Sequence, residues 1–353
     1  MMMKNQRRIL RISLLLLILA MLFIACRPDG DELFVPLETN PAVETEVPAE
    51  IVEEPTVTPD VPEVLLVISG DSDLDIAAQV QTALEVLVGE SGLTLKVENT
   101  LTPEMLLSGV RIVVGMGQGI DLSGLASSAP EVQFVAIHQP AAIPTANLSV
   151  IGDPIADLQR KAFMAGYLTA LVSSDYKIAG LIASDQQYSE DVLDAFTIGV
   201  RYYCGWCRPS LPPYVNYPFY PQVESFPAAS DLTAYQTLIA DWLYLGVNAV
   251  YVDTPLVSSE LIVYLMDAGM NVVGGASPDL PRDQWVGTVV ADPVPGLQRL
   301  WPDLMSGMGG SLMPSSITVT DAGSGLFSEG RLRLFNRTLA DLDAGLISTE
   351  YIP

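Results

Sequence analysis

From residue 64 onward, short apolar runs alternate with longer stretches whose apolar residues return every third or fourth position. Unbroken apolar runs bounded by turn residues predict strands buried on both faces; the wider spacing predicts amphipathic helices. Strands are predicted at 64–69, 93–97, 111–114, 132–138 and 148–152, with helices at 76–88 and 154–172. The pattern then restarts. Further strands are predicted at 177–183, 214–217, 249–253, 271–274 and 286–291, with helices at 189–203, 234–245, 258–268 and 293–308. Residues 317–320 and 331–334 predict a late hairpin, and 339–347 a last short helix. Such alternation implies parallel sheets covered by helices, and the restart near residue 175 implies two doubly wound lobes. The expected division gives 64–174 and about 286–310 to one lobe, and 175–285 and about 311–353 to the other. Open parallel sheets bind ligands beyond the carboxyl ends of their strands, so two such lobes leave a cleft that a hinge can shut on a small molecule.

The chain ahead of this body follows a different pattern. Lys4, Arg7, Arg8 and Arg11 precede an almost unbroken apolar run over 12–25, and Cys26 follows directly. A basic start, an apolar middle and a small residue at the cut describe an export signal; a membrane span needs roughly twenty apolar residues. Phe23-Ile-Ala-Cys26 resembles a lipoprotein box, so 1–25 is expected to be removed and Cys26 lipidated. An uncleaved anchor helix and, from Arg7-Arg8, a twin-arginine signal are the alternatives. Residues 27–63 hold seven prolines, eleven acids and one base. Little apolar surface and like charges predict a disordered, extended tether over 26–63.

Charge narrows the partners. The formal net charge is −25, and loss of the four bases of the signal takes it to about −29. Nucleic acid, which needs clustered Lys and Arg, is excluded, and the expected partners are a small molecule and the membrane, through the lipid. Cys204 and Cys207, in Cys-Gly-Trp-Cys, follow a helical pattern and precede a Pro-rich loop, which predicts a structural disulfide outside the cytoplasm. A redox pair, or free thiols or a metal, are the alternatives. One histidine in the chain leaves no Cys/His zinc set. Gly115-Met-Gly-Gln-Gly119 is spaced GxGxG and not GxGxxG, so it predicts a tight turn bringing Gly117 and Gln118 to the cleft. No nucleophile elbow, HExxH or P-loop occurs, and neither a cofactor, a metal nor an enzymatic reaction is expected.

Several ordered stretches resemble the basic membrane protein family, the purine-nucleoside-receptor-like substrate-binding lipoproteins of ABC transporters. They are Pro130-Glu-Val-Gln-Phe-Val-Ala-Ile137, Lys161-Ala-Phe-Met-Ala-Gly-Tyr-Leu-Thr-Ala-Leu-Val172, Lys177-Ile-Ala-Gly180, Ala195-Phe-Thr-Ile-Gly-Val-Arg-Tyr202, Gly246-Val-Asn-Ala-Val-Tyr-Val252 and Gly345-Leu-Ile-Ser-Thr-Glu-Tyr-Ile-Pro353. The resemblance implies a type I periplasmic-binding-protein fold over about 64–353 and delivery of a small polar ligand, nucleoside-like or other, to an ABC permease; a monomer is expected. A sensory or structural surface lipoprotein on the same fold is the alternative. The family's first loop carries an Asp and a Ser-Phe-Asn segment; here it is Ser69-Gly-Asp-Ser-Asp-Leu-Asp75, without an aromatic. The family's Asp after the fourth strand falls on His138, its Gly-Val-Asp on Gly274-Gly-Ala276, next to Ser277, and its Lys after the tenth strand on Ala291. The candidate ligand contacts are Ser69, Asp71, Gly117, Gln118, His138, Asp185, Asp253 and Ser277.

Overall fold

The computed structural model describes residues 62–350 except 71, 108, 118, 141, 206, 208–218, 279–282 and 324. The first half is built as β1 (Glu63–Ile68), α1 (Leu74–Glu90), β2 (Thr94–Glu98), β3 (Val110–Met116), α2 (Leu122–Ser128), β4 (Gln133–Ile137) and β5 (Leu148–Ile151). Strands β1, β3, β4 and β5 are apolar and largely buried, as interior strands of a parallel sheet must be, whereas β2 is mostly open at an edge. Asp73 starts α1 by accepting the backbone N–H groups of Asp75 and Ile76.

The chain then crosses to α3 (Pro154–Val172), β6 (Ile178–Ala183), α4 (Ser189–Cys204), β7 (Gln222–Phe226), α5 (Leu232–Leu245), β8 (Ala249–Val252), α6 (Ser259–Asp267), β9 (Asn271–Gly274) and β10 (Trp285–Asp292). It returns as α7 (Val294–Met305) and β11 (Leu312–Met313), and crosses a last time to β12 (Ser316–Thr320) and α8 (Glu329–Asp343). Two six-stranded sheets result, ordered β2-β1-β3-β4-β5-β11 and β7-β6-β8-β9-β10-β12. All neighbours run parallel except β10 and β12. Three crossovers join the lobes, after β5, after β10 and after β11, and each departs from the carboxyl end of a parallel strand. The carboxyl ends of the two sheets therefore face each other.

The lobes are divided differently from the expected boundaries. Helix α3, expected in the first lobe, is part of the second: Phe163, Leu168 and Leu171 join the core that holds β6, β8 and Phe196 of α4. The two helices nearly touch at their backbones. A Cβ on Gly199 would stand 2.0 Å from the carbonyl oxygen of Phe163, and one on Gly166 2.2 Å from that of Phe196. Strand β10, expected to return to the first lobe, pairs with β9 and β12 in the second sheet, and the chain crosses only after it, at Asp292, whose side chain accepts Val294 N–H. Helix α7 does return, burying Leu297, Leu300 and Leu304 against the β1 side of the first lobe. Its Trp301 donates to Ser91 Oγ at the end of α1. Strand β11 also belongs to the first sheet, so the last crossing falls at Pro314-Ser315.

Two further predictions are corrected. Residues 331–334 are helical, not a hairpin strand, and the helix of 339–347 begins ten residues earlier as part of α8. The Arg-Leu-Arg-Leu alternation is too short to fix a period, while Ser328 caps the helix and Phe335, Thr338 and Leu342 bury at helical spacing. The strand predicted at 214–217 lies outside the described residues; β7 is the segment that pairs with β6.

Candidate functional site

On the first lobe the cleft lip is made by the turns after β1 and β3. Ser69 is buried at the end of β1, its N–H donating to Met116 O. Gly117 turns there at φ +89°, in the left-handed region that glycine occupies without strain. Gly119 is packed against the Ser69 side chain. Together with Asn99, Thr100, Ile120 and Asp121, Ser69 and Gly119 line a cavity of about 460 Å³. Asp71 and Gln118 lie outside the described residues.

On the second lobe the candidates are engaged by their own chain. The Asp253 carboxylate, at the end of β8, accepts Ala183 N–H from β6 through one oxygen, and Thr254 N–H and the Tyr251 hydroxyl through the other. It thus ties the ends of two neighbouring strands together. Asp185 accepts Ala228 N–H with both oxygens, and that bond, followed by one from Gln186, holds its carboxyl below the usual range. It closes the loop beyond β6 onto the loop beyond β7. Ser277 donates to Asp321, which also takes Trp285 Nε1–H and Thr288 N–H. Ser277 and Asp321 therefore fasten the loop after β9 to the end of β12.

His138 joins a hinge cluster and stands apart from those walls. It follows β4 at φ +52°, with Nε2 2.8 Å from Ser315 Oγ of the third crossover. The same nitrogen is 3.5 Å from Asp157 Oδ2, a buried oxygen with no hydrogen-bond donor among the described residues. Asp157 Oδ1 takes Arg160 at 3.0 Å, and Arg160 continues to Ser315 O and the Asp343 carboxylate of α8. Gly152, in the first crossover at φ +77°, is hemmed in by His138, Asp157 and Ser315, all within 2.6 Å of where a Cβ would stand. Two crossovers, the end of β4, α3 and α8 converge at this point.

The residue that composition and motifs did not single out is Lys161. It sits on α3 directly before the fully buried run 162–172 that enters the core. Its Nζ donates to Thr254 Oγ1 at 2.7 Å and to Gly275 O at 3.0 Å, at the carboxyl ends of β8 and β9. No carboxylate lies within ion-pair distance of it among the described residues. Burial pulls its pKa below the ordinary lysine value, partly offset by the carboxylates of Asp253 and of Asp73, the latter on the opposite lobe. The visible signal was its position, a second charge beside Arg160 at the head of an otherwise apolar helix segment.

The disulfide expected between Cys204 and Cys207 is formed, with the Cα atoms 5.0 Å apart, at the C-terminal end of α4. Among the described residues, no group of three or more His, Cys, Asp or Glu side chains is placed to hold a metal ion, and no helix is long and apolar enough to cross a membrane. Cys26 lies outside the described residues.

No protein-family model and no curated protein matches the sequence. Solved structures do match. An ABC transporter solute-binding protein from Conexibacter woesei DSM 14684 is 14% identical over 83% of this chain and 99% of its own, with a TM-score of 0.57. An ABC transporter solute-binding protein from Aeropyrum pernix K1 is 15% identical over 81% and 93%, with a TM-score of 0.50. A transcriptional activator of the comK gene from Bacillus halodurans is 14% identical over 79% and 96%, with a TM-score of 0.55. At such identities the likeness shows the fold. This chain has the type I periplasmic-binding-protein-like fold, two parallel-sheet lobes joined at a hinge.

Proposed function

We propose that this protein is an extracytoplasmic solute-binding protein of the basic membrane protein type. It captures a small polar molecule between its lobes and presents it to an ABC permease. It is exported by residues 1–25, held at the membrane by a lipid on Cys26, and works as a monomer at the end of the 26–63 tether. The observation that carries the reading is the pair of matched sheets whose carboxyl ends oppose one another around three crossovers. Two such structural neighbours, described as ABC transporter solute-binding proteins, support it. Binding follows from population shift: a ligand touching both lips favours the closed form by its extra contacts there. Nothing in this scheme needs a catalytic group.

Thermal-shift measurements with nucleosides, sugars, amino acids and small cations test the reading, since a ligand held only by the native state raises the melting temperature. Stabilisation by one class supports it. A second reading is a sensory or structural surface lipoprotein without a transported ligand. It draws on the engagement of Asp185, Asp253 and Ser277 by the chain's own groups, and silence across the whole panel would favour it. Mass analysis of the protein extracted from membranes tests the anchor: a diacylated Cys26 terminus is expected, and an unmodified Met1 terminus refutes it.

A further inference from the structure

Lys161 and Asp73 stand on opposite lobes, each at the carboxyl-end side of its sheet. Lys161 rises from the second lobe, held by Thr254 Oγ1 and Gly275 O. An ammonium carries three donors, so two are spent on neutral oxygens and one remains. Asp73 stands on the first lobe, in the same loop as Ser69. Its Oδ1 takes the two N–H groups at the start of α1, and Oδ2 takes no hydrogen bond among the described residues. Both groups stand where the carboxyl ends of the sheets oppose one another, Asp73 in the loop after β1 and Lys161 at the ends of β8 and β9, and they are not within ion-pair distance. Asp253, whose charge acts on Lys161 more strongly than that of Asp73, is likewise not within ion-pair distance of it among the described residues, and its oxygens accept from Ala183, Thr254 and Tyr251. Between the two lobe-1 residues, Ser72 Oγ is buried with no hydrogen-bond partner among the described residues.

A part-buried cation tied only to neutral oxygens is costly unless something of opposite charge completes it. An exposed carboxylate with one unused oxygen offers the complementary half. Opposite charges set on the two lobes match a guest that carries both signs.

We propose that the cleft takes a zwitterionic, amino-acid-like ligand. Its carboxylate accepts from Lys161 on the second lobe, and its ammonium donates to Asp73 Oδ2 on the first, with the Ser72 hydroxyl beside it. Each end of the ligand engages a different lobe, so binding draws the two together. The inference rests on the solute-binding reading and assigns that site its ligand class and two binding residues.

The test uses the mature chain and isothermal titration with the twenty amino acids. For each that binds, the N-acetylated form, which lacks the ammonium, and the carboxamide, which lacks the carboxylate, are measured beside it. At least one free amino acid is expected to bind about tenfold or more tighter than either derivative, as loss of one charge-assisted contact implies. Lys161→Gln is expected to weaken the free amino acid to the level of its amide. Asp73→Asn is expected to weaken it to the level of the acetylated form. Asparagine caps a helix about as well as aspartate, so this variant keeps α1; circular dichroism and the melting temperature check both folds. Amino-acid affinity unchanged in both variants overturns the proposal. So does binding of a neutral sugar or nucleoside with no amino acid bound, an outcome that leaves the solute-binding reading standing. Silence from all classes removes both.

Discussion

The two lobes share a strand order but finish their cleft lips in different ways. On the second lobe the strand ends are laced together: β6 to β8 through Asp253, the loop after β6 to the loop after β7 through Asp185, and β9 to β12 through Ser277 and Asp321. Lys161 adds a bond across the ends of β8 and β9. On the first lobe the lip consists of turns, with Gly117 in a left-handed conformation and a cavity behind Ser69. The same topology thus yields a preorganised wall opposite an accommodating one. A side chain that satisfies its neighbours' backbone fixes geometry, and the strand-end carboxylates Asp185 and Asp253 do so on this wall.

The comparison can be broken most severely at the helix pair beneath the second wall. Gly199→Ala places a methyl group 2.0 Å from the Phe163 carbonyl oxygen, and only backbone movement relieves it. Overpacking costs about 1–3 kcal/mol, and a clash with backbone falls at the upper end of that range. Urea unfolding should report that loss, and hydrogen exchange should place it in β6, β8 and α4 while β1 and β3 stay protected. Uniform loss of protection in both lobes would contradict the independence of the two walls. Asp253→Ala comes next. It leaves the Ala183 and Thr254 N–H groups without their acceptor, at a cost of about 1–3 kcal/mol, with ligand affinity falling only as far as the wall is displaced. Replacing Cys204 and Cys207 by serine is expected to cost about 1–2 kcal/mol, since the loop they close is short. Ligand affinity should not change; a lost thiol-reductase activity would instead reveal a redox pair.

The parts of the fold that were legible in the sequence are those settled locally. Strands β1, β6 and β8 are continuous apolar runs because they lie inside parallel sheets, and no other element fits such runs between turn residues. The membership of α3 was not legible. From Ala162 to Val172 it is buried throughout, and a helix without a polar face carries no mark of which sheet it covers. The boundary at β10 was hidden likewise, since a strand says nothing of its neighbour. The hinge cluster joins residues far apart in the chain, and only the crossovers bring His138, Asp157 and Ser315 together. Lys161 was in view as a charge at the head of an apolar segment, but its partners, Thr254 and Gly275, lie just beyond β8 and β9, far along the chain.

The smallest effect is the pH dependence of that lysine, and it separates the walls most finely. In the unfolded chain Lys161 titrates at the ordinary 10.5, and burial lowers its value in the folded state. Below the folded value both states hold the proton, so stability does not depend on this group's titration. Between the folded value and 10.5 the unfolded state holds more protons, so stability rises with pH across that interval. Urea unfolding of the wild type, less that of Lys161→Met at each pH, isolates this slope from the other lysines and tyrosines. A slope of this sign is expected in the unliganded protein. With an amino acid bound, the ligand carboxylate favours the charged lysine, raises its folded value toward the ordinary one and shrinks the interval. An amino acid that binds and leaves the slope unchanged must have its carboxylate elsewhere, and the second wall would then contribute shape without charge.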